Sequence, residues 1–464
     1  MNLITNLVLR YLRFFAKLSL KIHKPTVIGI TGSVGKSSTR NIIYGLLKDY
    51  FPTKMISKGN SETGIPLGIL GLSPINYSKF DWIRMLTLSP FGLSYLSKTK
   101  YLIIEMGVDD PYPPKNMEFL LTIVKPAISI FLNVHPVHTM QFEKSISNIL
   151  QTKKMNSNEK LKLILIKISE EKGKIIINND NCVNAIYNSD NYYVENVISN
   201  FKKTILNNKI KFFSFGNKNT SDLCLKKFEV SLKGSKFLFG KKDKKDIVLV
   251  FDRYLLPEAY KEGLMTGILV GKMLGLSIKQ IKNSLVSNFL LPKGRVSLFI
   301  GINNSYILDS SYNSSKASVL SFLELLNIIK NKYKDKKIIF LMGDMRELGK
   351  SAKLEHEEVF NKLKEVVDYL YCVGPLTKEF IIDNKKFKID LKKLNQFKWF
   401  NNSTQAGKFL ANNLPTNSVI LIKGSQNTIF LEEAIKFLLN DKKDQINLCR
   451  QEKFWKNEKK LLQS

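Results

Sequence analysis

The sequence has few cysteines, few acidic residues and no long uncharged apolar run. Its four cysteines, Cys182, Cys224, Cys372 and Cys449, lie far apart without a CxxC pair. This spacing excludes a disulfide framework and the usual zinc sites, and it indicates reduced thiols in a cytoplasmic protein. Of 464 residues, 44% are hydrophobic and 24% are charged, which is a globular composition. The length predicts two or three domains.

The shortage of acidic residues leaves a net charge of +32. Such a charge is typical of proteins that bind nucleic acids, because lysine and arginine displace counterions from phosphates. Here the lysines are scattered along the whole chain, and we find no zinc-finger spacing and no aromatic-rich RNA motif. We therefore predict no nucleic-acid partner, and the charge indicates a lysine-biased proteome or an anionic partner.

Residues 1–24 predict an amphipathic basic helix. Polar residues recur there every three or four positions, namely at Asn2, Asn6, Arg10, Arg13, Lys17 and Lys21. These charges interrupt any run that is long enough to span a bilayer, and no small-residue cleavage site follows. Two interpretations remain open: the helix lies on an anionic membrane surface, or it packs on its own domain.

Short apolar runs that end in glycine or an acidic residue alternate with helical stretches in the first half of the chain. The runs are TVIGI, YLIIEMG, AISIFLNV, KLILIKI and KIIINND, at residues 26–30, 101–107, 127–134, 162–168 and 174–180. They predict buried parallel strands of an α/β sheet. Residues 201–251 alternate like antiparallel strands, and helices are expected at about 258–274 and 278–288.

A turn at residues 290–295 is the predicted domain boundary. Beyond it a second α/β series begins, with the apolar runs YILDSS, KIIFLMGD, YLYCVG and SVILIKGS. We expect an N-terminal helix (1–24), a central parallel-sheet domain (25–293), a Rossmann-like α/β domain (294–440) and a charged tail (441–464).

A phosphate-binding loop is predicted where the first apolar run meets a helical stretch. Its residues are Thr31, Gly32, Ser33, Val34, Gly35, Lys36, Ser37 and Ser38. In such a loop, backbone amides and a helix N-terminus face the anion, the lysine contacts the β- and γ-phosphates, and the serine hydroxyl binds magnesium. Ile30 stands where the general P-loop has its first glycine, so a turn that only caps a helix remains the alternative.

Polar residues end the next two apolar runs. Glu105 closes one of them, and Asn133, His135 and His138 follow the other. The carboxyl ends of parallel strands border the ligand crevice of an open sheet, and a carboxylate there can hold magnesium. A surface glutamate and ordinary loop histidines are the alternatives.

Taken together, these segments resemble the Mur ligase family, which comprises ATP-dependent amide-forming enzymes of peptidoglycan synthesis. TGSVGKSS, KGNSETGIPLGIL, IEMG and NVHPVH are similar to its motifs in the same order. Further on, PKGRVSL, ILDSSYNSSKAS, LMGDMRELGKSAKLEH and LIKGS are also similar to family segments. The resemblance covers about residues 25–436 and implies a P-loop ATPase-type central domain.

The resemblance also implies an activity and its residues. The expected reaction joins D-alanyl-D-alanine to UDP-muramoyl tripeptide through an acyl phosphate, with ATP and Mg²⁺. Lys36, His138 and a carbamylated Lys153 are the implied catalytic residues, with Lys154 as the alternative to Lys153. The implied metal ligands are Ser37, Glu105, His138 and Lys153. Arg295 and Asp309 are expected to contact the nucleotide.

The sequence departs from the family pattern at several positions. The position of an asparagine that contacts the nucleotide base falls near Gly263, and Ser310 replaces a second aspartate. Gln426 stands where an arginine often follows the KGS segment. Only 24 residues precede the loop region, so we expect the usual uridine-binding domain to be lacking.

Three functions remain open on these residues. The first is the D-alanyl-D-alanine ligase, and the second is a ligase of the same chemistry with another acceptor, such as a membrane-linked precursor. The third is an ATP-binding protein without ligase activity. We expect a cytoplasmic monomer with peripheral membrane contact through residues 1–24 as an option.

Overall fold

The computed structural model describes residues 3–57, 59–76, 78–137, 139–146, 156–204, 209–241, 245–252, 254–289, 291, 293–346, 348–425 and 428–463. The chain divides into two compact units. The first comprises Met1–Lys227, Leu238–Leu249 and Tyr260–Leu290, and the second comprises Phe228–Phe237, Val250–Ala259 and Leu291–Ser464. Both contain parallel sheets flanked by helices, which confirms the predicted α/β class.

The first ten helices lie in the first unit. They are Leu3–His23 (α1), Lys36–Leu47 (α2), Gly64–Ile69 (α3), Lys79–Leu88 (α4), Met117–Leu121 (α5), Thr139–Glu143 (α6), Ser157–Ile177 (α7), Tyr192–Thr204 (α8), Lys261–Met273 (α9) and Ile278–Ser287 (α10). Short 3₁₀ turns occur at Phe91–Leu96, Lys144–Ile146 and Glu258–Tyr260.

Nine strands form the larger sheet. They are Thr26–Thr31 (β1), Thr53–Met55 (β2), Tyr101–Glu105 (β3), Ile128–Phe131 (β4), Asn184–Asn188 (β5), Lys211–Gly216 (β6), Leu223–Ser231 (β7), Gly234–Gly240 (β8) and Ile247–Asp252 (β9). The spatial order is β2-β3-β1-β4-β5-β6-β7-β8-β9. The six strands β1 to β6 run parallel to one another. The carboxyl ends of β3, β1, β4 and β5 therefore lie side by side.

Two predicted strands are helical instead. KLILIKI and KIIINND, at residues 162–168 and 174–180, fall largely within α7, which a capping box of Asn156 and Glu159 starts. The isoleucines there have a high strand propensity, but Ile164, Ile168 and Ile175 repeat at helical spacing and are buried. Packing of that apolar stripe outweighs the strand preference.

Helix α1 packs on its own unit. Leu9, Leu12 and Ala16 are buried on its inner face, and the Tyr11 hydroxyl donates to the Leu86 carbonyl over 3.2 Å. The Ser19 hydroxyl donates to the Leu93 carbonyl over 3.1 Å. Within the described part of the chain, no helix has both the length and the apolarity needed to cross a membrane.

The second unit has a six-stranded sheet of its own. The strands are Ser297–Gly301 (β10), Ser305–Ser310 (β11), Lys337–Gly343 (β12), Tyr369–Val373 (β13), Gln396–Phe400 (β14) and Ser418–Lys423 (β15). The helices are Lys316–Lys332 (α11), Ala352–Val366 (α12), Pro375–Thr377 (α13), Lys388–Lys392 (α14), Ser403–Asn413 (α15), Glu432–Leu438 (α16) and Lys453–Gln463 (α17). The order is β10-β11-β15-β12-β13-β14, and only β10 pairs in the antiparallel sense among these strands.

The charged C-terminal segment folds onto this second unit. The Arg450 guanidinium makes two bonds to the Glu432 carboxylate, with Nε–Oε1 at 2.8 Å and Nη2–Oε2 at 2.6 Å. It also donates to the carbonyls of Ser311 and Tyr312, over 2.9 and 3.2 Å. Lys459 Nζ lies 2.8 Å from Glu432, so a fully buried carboxylate has two cationic partners.

We expect Arg450→Ala to destabilise the protein by about 3 kcal/mol, because it leaves the buried Glu432 carboxylate short of a partner. Urea denaturation followed by circular dichroism measures the change. The matched control is Lys362→Ala, which removes an exposed ion pair with Glu365 at 3.8 Å and should cost less than about 0.5 kcal/mol. Equal losses in the two variants would contradict a structural role for Arg450.

Candidate active site

The predicted phosphate loop connects β1 to α2. Gly35 caps α2 with φ 84°, a left-handed conformation that favours glycine. The Asn133 side chain holds the loop, because its Oδ1 accepts from the backbone amides of Ser33 and Val34 over 3.1 and 2.9 Å. Helix α2 follows the loop directly, from Lys36 to Leu47. The loop thus has the predicted strand-turn-helix geometry, and it lies at the carboxyl end of β1, an interior strand of the sheet.

Lys36 lies in the first turn of α2 and folds back over the loop. Its Nζ donates to the Gly32 carbonyl over 2.7 Å and to the Ser33 carbonyl over 3.3 Å. The ammonium group is therefore above the loop amides, where a bound phosphate would meet it.

Glu105 ends β3 beside the start of α2. Its carboxylate accepts from the Ser37 hydroxyl over 3.0 Å and pairs with Arg40 at 2.5 Å. Glu105 and Arg40 are both buried. Arg40 also donates to the Ile56 carbonyl over 3.0 Å, so the guanidinium is held from two sides. The sequence did not single out Arg40 for this contact.

The Ser37 and Glu105 oxygens suit a divalent cation, since hard cations prefer hydroxyl and carboxylate donors. In the described part of the chain, no group of three or more His, Cys, Asp or Glu side chains is arranged so that it could hold a metal ion. Two of the four predicted metal ligands, His138 and Lys153, lie outside the described residues, as does the alternative Lys154. Their roles stay predictions.

Asn133, just after β4, and Asn188, the last residue of β5, contact a glutamate from α9. Asn133 Nδ2 donates to Glu262 Oε2 over 2.6 Å, and Asn188 Nδ2 donates to Glu262 Oε1 over 3.1 Å. Burial raises the pKa of Glu262 to about 7. The carboxyl thus reaches the phosphate loop through Asn133, a link that the sequence analysis missed.

A buried lysine also faces the loop. Lys172 of α7 has its Nζ 3.4 Å from the carbonyl oxygens of Gly32 and Val108. Burial, together with the charge of Lys36, lowers the pKa of Lys172 to about 7. The sequence does carry a signal for it: Lys172 lies in the apolar stripe with Ile168 and Ile175, and a lysine is rarely buried unless it has a partner.

Gly263 packs against α2. A Cβ there would stand 2.8 Å from Ile42 Cδ1 and 3.1 Å from Thr39 Oγ1, so glycine permits a close helix contact. The base contact expected from an asparagine at this place has no side chain to make it. The neighbouring Glu262 is the polar residue that α9 presents to the loop.

In the second unit, the segments ILDSSYNSSKAS, LIKGS and LMGDMRELGKSAKLEH begin on the adjacent parallel strands β11, β15 and β12 and continue past their carboxyl ends. Asp309 near the end of β11 is buried, and its Oδ1 accepts from the Ser311 amide over 2.9 Å. Burial raises the pKa of Asp309 to about 6. Its Oδ2 has no hydrogen-bond partner among the described residues. Arg295 stacks over the Tyr312 ring, 4.9 Å from the centroid. Gln426 lies outside the described residues.

Lys423 completes this edge from β15. Its Nζ donates to the Ser310 hydroxyl over 3.2 Å and to the Asn313 carbonyl over 2.9 Å. Burial and the charge of Arg295 lower the pKa of Lys423 to about 7. Ser310, which departs from the family pattern, thus serves as a partner for a buried lysine.

The GDMRELG segment is held by its own histidine and aspartate. His356 Nε2 accepts from the Met345 amide over 3.1 Å, and Asp344 Oδ1 accepts from the Thr377 amide over 2.8 Å. Burial lowers the pKa of His356 and raises that of Asp344. Through these hydrogen bonds, both residues fix the backbone that directly follows β12.

Two family models match the chain. The Mur ligase middle domain matches residues 30–251, and the Mur ligase glutamate ligase domain matches residues 294–426. The chain belongs to the Mur ligase family. As a Mur ligase it is an ATP-dependent ligase, which confirms the resemblance and the enzyme class predicted from the motifs.

Several known proteins are similar along most of the chain. A UDP-N-acetylmuramoyl-tripeptide--D-alanyl-D-alanine ligase of Buchnera aphidicola subsp. Baizongia pistaciae is 27% identical, covering 89% of this chain and 75% of the relative. The same-named ligase of Borreliella burgdorferi is 26% identical, with 91% and 77% covered. The MurF ligase of Thermotoga maritima, solved in complex with ADP, has a similar fold with a TM-score of 0.67 at 21% identity, covering 92% and 83%.

We expect the stability of this Mur ligase to fall as the pH rises from about 4.5 to about 7, because only the folded state keeps Glu262 protonated there. Glu262→Gln removes this term. The free energy of unfolding of the variant minus that of the parent should therefore be about 1 to 2 kcal/mol larger at about pH 8 than at about pH 5. Urea unfolding at the two pH values measures it, with the exposed Glu379→Gln as the control. A constant difference across this range would refute the burial argument.

Proposed function

We propose that this Mur ligase joins D-alanyl-D-alanine to UDP-muramoyl tripeptide in the cytoplasm, with ATP as the energy source. The proposal rests first on the phosphate loop with Lys36 above it and the Ser37–Glu105 pair at its side. The relatives named for this reaction are similar over 75–92% of the chain. The GDMRELG segment, which resembles this member of the family, also supports the choice of substrates.

The chemistry requires activation of a carboxylate. A substrate carboxylate oxygen attacks the γ-phosphorus of ATP, and the bond from that phosphorus to the β–γ bridging oxygen breaks. ADP departs as the leaving group, and the substrate is now an acyl phosphate. The incoming amine then attacks the acyl carbon, phosphate departs, and the amine loses a proton to give the amide. The first step brings together two anions, so positive charge around the γ-phosphate lowers its barrier.

The loop residues divide this task. The backbone amides of Ser33 and Val34 already donate to Asn133, so those of Gly35 and Lys36 would bind the phosphates, and the Lys36 ammonium would neutralise charge between the γ-phosphate and the carboxylate. Ser37 and Glu105 would hold Mg²⁺, which supplies further neutralisation of phosphate charge when bound. Arg40, paired with Glu105, would keep that carboxylate oriented toward Ser37.

We also propose Lys172 as the lysine that carries a carbamate. Carbamate formation needs a neutral amine, which attacks CO₂ and releases one proton. Lys172 is buried beside Gly32, and its lowered pKa leaves a large neutral fraction near neutral pH. The product would be an anion close to the loop lysine Lys36. The motif spacing favoured Lys153 for this role, and that assignment lies outside the described residues.

A second candidate function uses the same chemistry with a membrane-linked acceptor. Helix α1 favours it, because the helix exposes apolar side chains on its outer face while its inner face is packed. The predicted roles of Arg295 and Asp309 in contacting the nucleotide are the same for either candidate.

The test is to incubate the protein with ATP, Mg²⁺, UDP-muramoyl tripeptide and D-alanyl-D-alanine, and to measure product mass and phosphate release. We expect the pentapeptide product. Lys36→Ala should lower phosphate release about a hundredfold or more, because the loop loses its central charge. Lys48→Ala, at the exposed far end of α2, is the control and should retain activity.

Turnover with a lipid-linked acceptor alone would favour the second candidate. Absence of phosphate release with every acceptor would instead indicate an ATP-binding protein. Full activity of Lys36→Ala would refute the proposed site.

For the carbamate, we expect Lys172→Ala to lose phosphate release and to regain part of it when formate or acetate is added. A small carboxylate can occupy the space that the carbamate leaves. The matched variant is Lys153→Ala, assayed with the same additives. Rescue of Lys153→Ala, with none for Lys172→Ala, would return the role to Lys153.

A further inference from the structure

Helix α1 has two apolar faces, and only one is covered. Leu9, Leu12 and Ala16 are buried against the first unit. A second stripe consists of Leu7, Tyr11, Phe14, Leu18 and Ile22, which recur at intervals of three or four residues and therefore share one side of the helix. Leu7 is 58% exposed and Phe14 is 61% exposed. We call this row of five residues the outer stripe.

Cations border the outer stripe. Arg10, Lys17 and Lys21 each precede a stripe residue by one position, and all three side chains are exposed. Residues 1–24 contain no aspartate or glutamate. Arg13 takes no part in this row, because it donates to the Thr122 hydroxyl over 3.0 Å and lies over the Phe119 ring. The outer stripe thus has a cationic margin without acidic residues.

The elements that contact α1 expose further large apolar side chains. Phe80 of α4 is 84% exposed, and Phe91 of the 3₁₀ turn Phe91–Leu96 is 79% exposed. The hydrogen bonds from Tyr11 to Leu86 and from Ser19 to Leu93 place these elements next to the helix. The acidic side chain of α4, Asp81, is buried and paired with Arg84 at 2.7 Å.

We propose that this surface binds the face of an anionic phospholipid bilayer. Apolar and aromatic side chains beside a row of cations are typical of helices that lie in the bilayer interface. Phe80 and Phe91 are nearly fully exposed, so both are free to insert into a lipid surface. The inner face of α1 remains packed, so the whole ATP-binding unit is held at the membrane. This binding is independent of the acceptor that the ligase uses.

The test is co-sedimentation of the full chain with vesicles, without ATP or substrates, so a failure leaves the proposed reaction unaffected. We expect binding to vesicles of phosphatidylcholine and phosphatidylglycerol, weaker binding at high salt, and little binding to phosphatidylcholine alone. Phe14→Glu and Phe91→Glu should each weaken binding about tenfold. Lys17→Gln should weaken it about fivefold.

The matched controls are Ile389→Glu and Lys408→Gln, which change exposed residues of the second unit and should bind like the parent. Thermal melting checks that each variant is folded, and Phe91 tests the surface without altering α1. Unchanged binding of Phe14→Glu and Phe91→Glu would overturn the proposal. Absence of vesicle binding by the parent protein would also overturn it. If light scattering shows that the parent is a dimer and that Phe14→Glu is not, the outer stripe binds a second copy of the chain instead.

Discussion

The contact between Glu105 and the start of α2 organises the edge of the first unit where the predicted phosphate loop lies. A buried carboxylate requires partners, and here Arg40 supplies the charge while Ser37 supplies a hydroxyl. Through these two bonds the end of β3 is tied to the helix that carries Lys36. The predicted phosphate loop and the proposed metal ligands Ser37 and Glu105 both adjoin this junction.

Both units collect polar side chains by the same physical rule. Adjacent parallel strands end at one edge, so residues that are distant in sequence become neighbours there. In the first unit this edge brings Glu105, Asn133 and Asn188 to the loop. In the second it brings Asp309 and Lys423 together from β11 and β15. Burial of these groups then shifts their pKa values toward neutrality, as for Lys423 and Asp309.

The helix α1 combines the two interpretations that its sequence left open. Amphipathicity alone cannot tell whether an apolar face meets a protein core or a membrane, because both environments remove it from water. The structure divides the apolar residues between a packed face with Leu12 and an exposed stripe with Phe14. A single helix can therefore be anchored to its domain and still present an apolar surface.

The sequence by itself determined the α/β class, the strands β1, β3, β4, β11, β12, β13 and β15, and the strand-loop-helix geometry around Lys36, because these follow from local patterns of apolar and glycine residues. It placed Glu105 correctly at a strand end. It mistook part of α7 for strands, since a run of isoleucines satisfies both periods over a few residues. The partners of Glu262, Lys172 and Arg450 were decided only by the tertiary structure, because each contact joins residues from separate elements and depends on how deeply the packed core buries their charges.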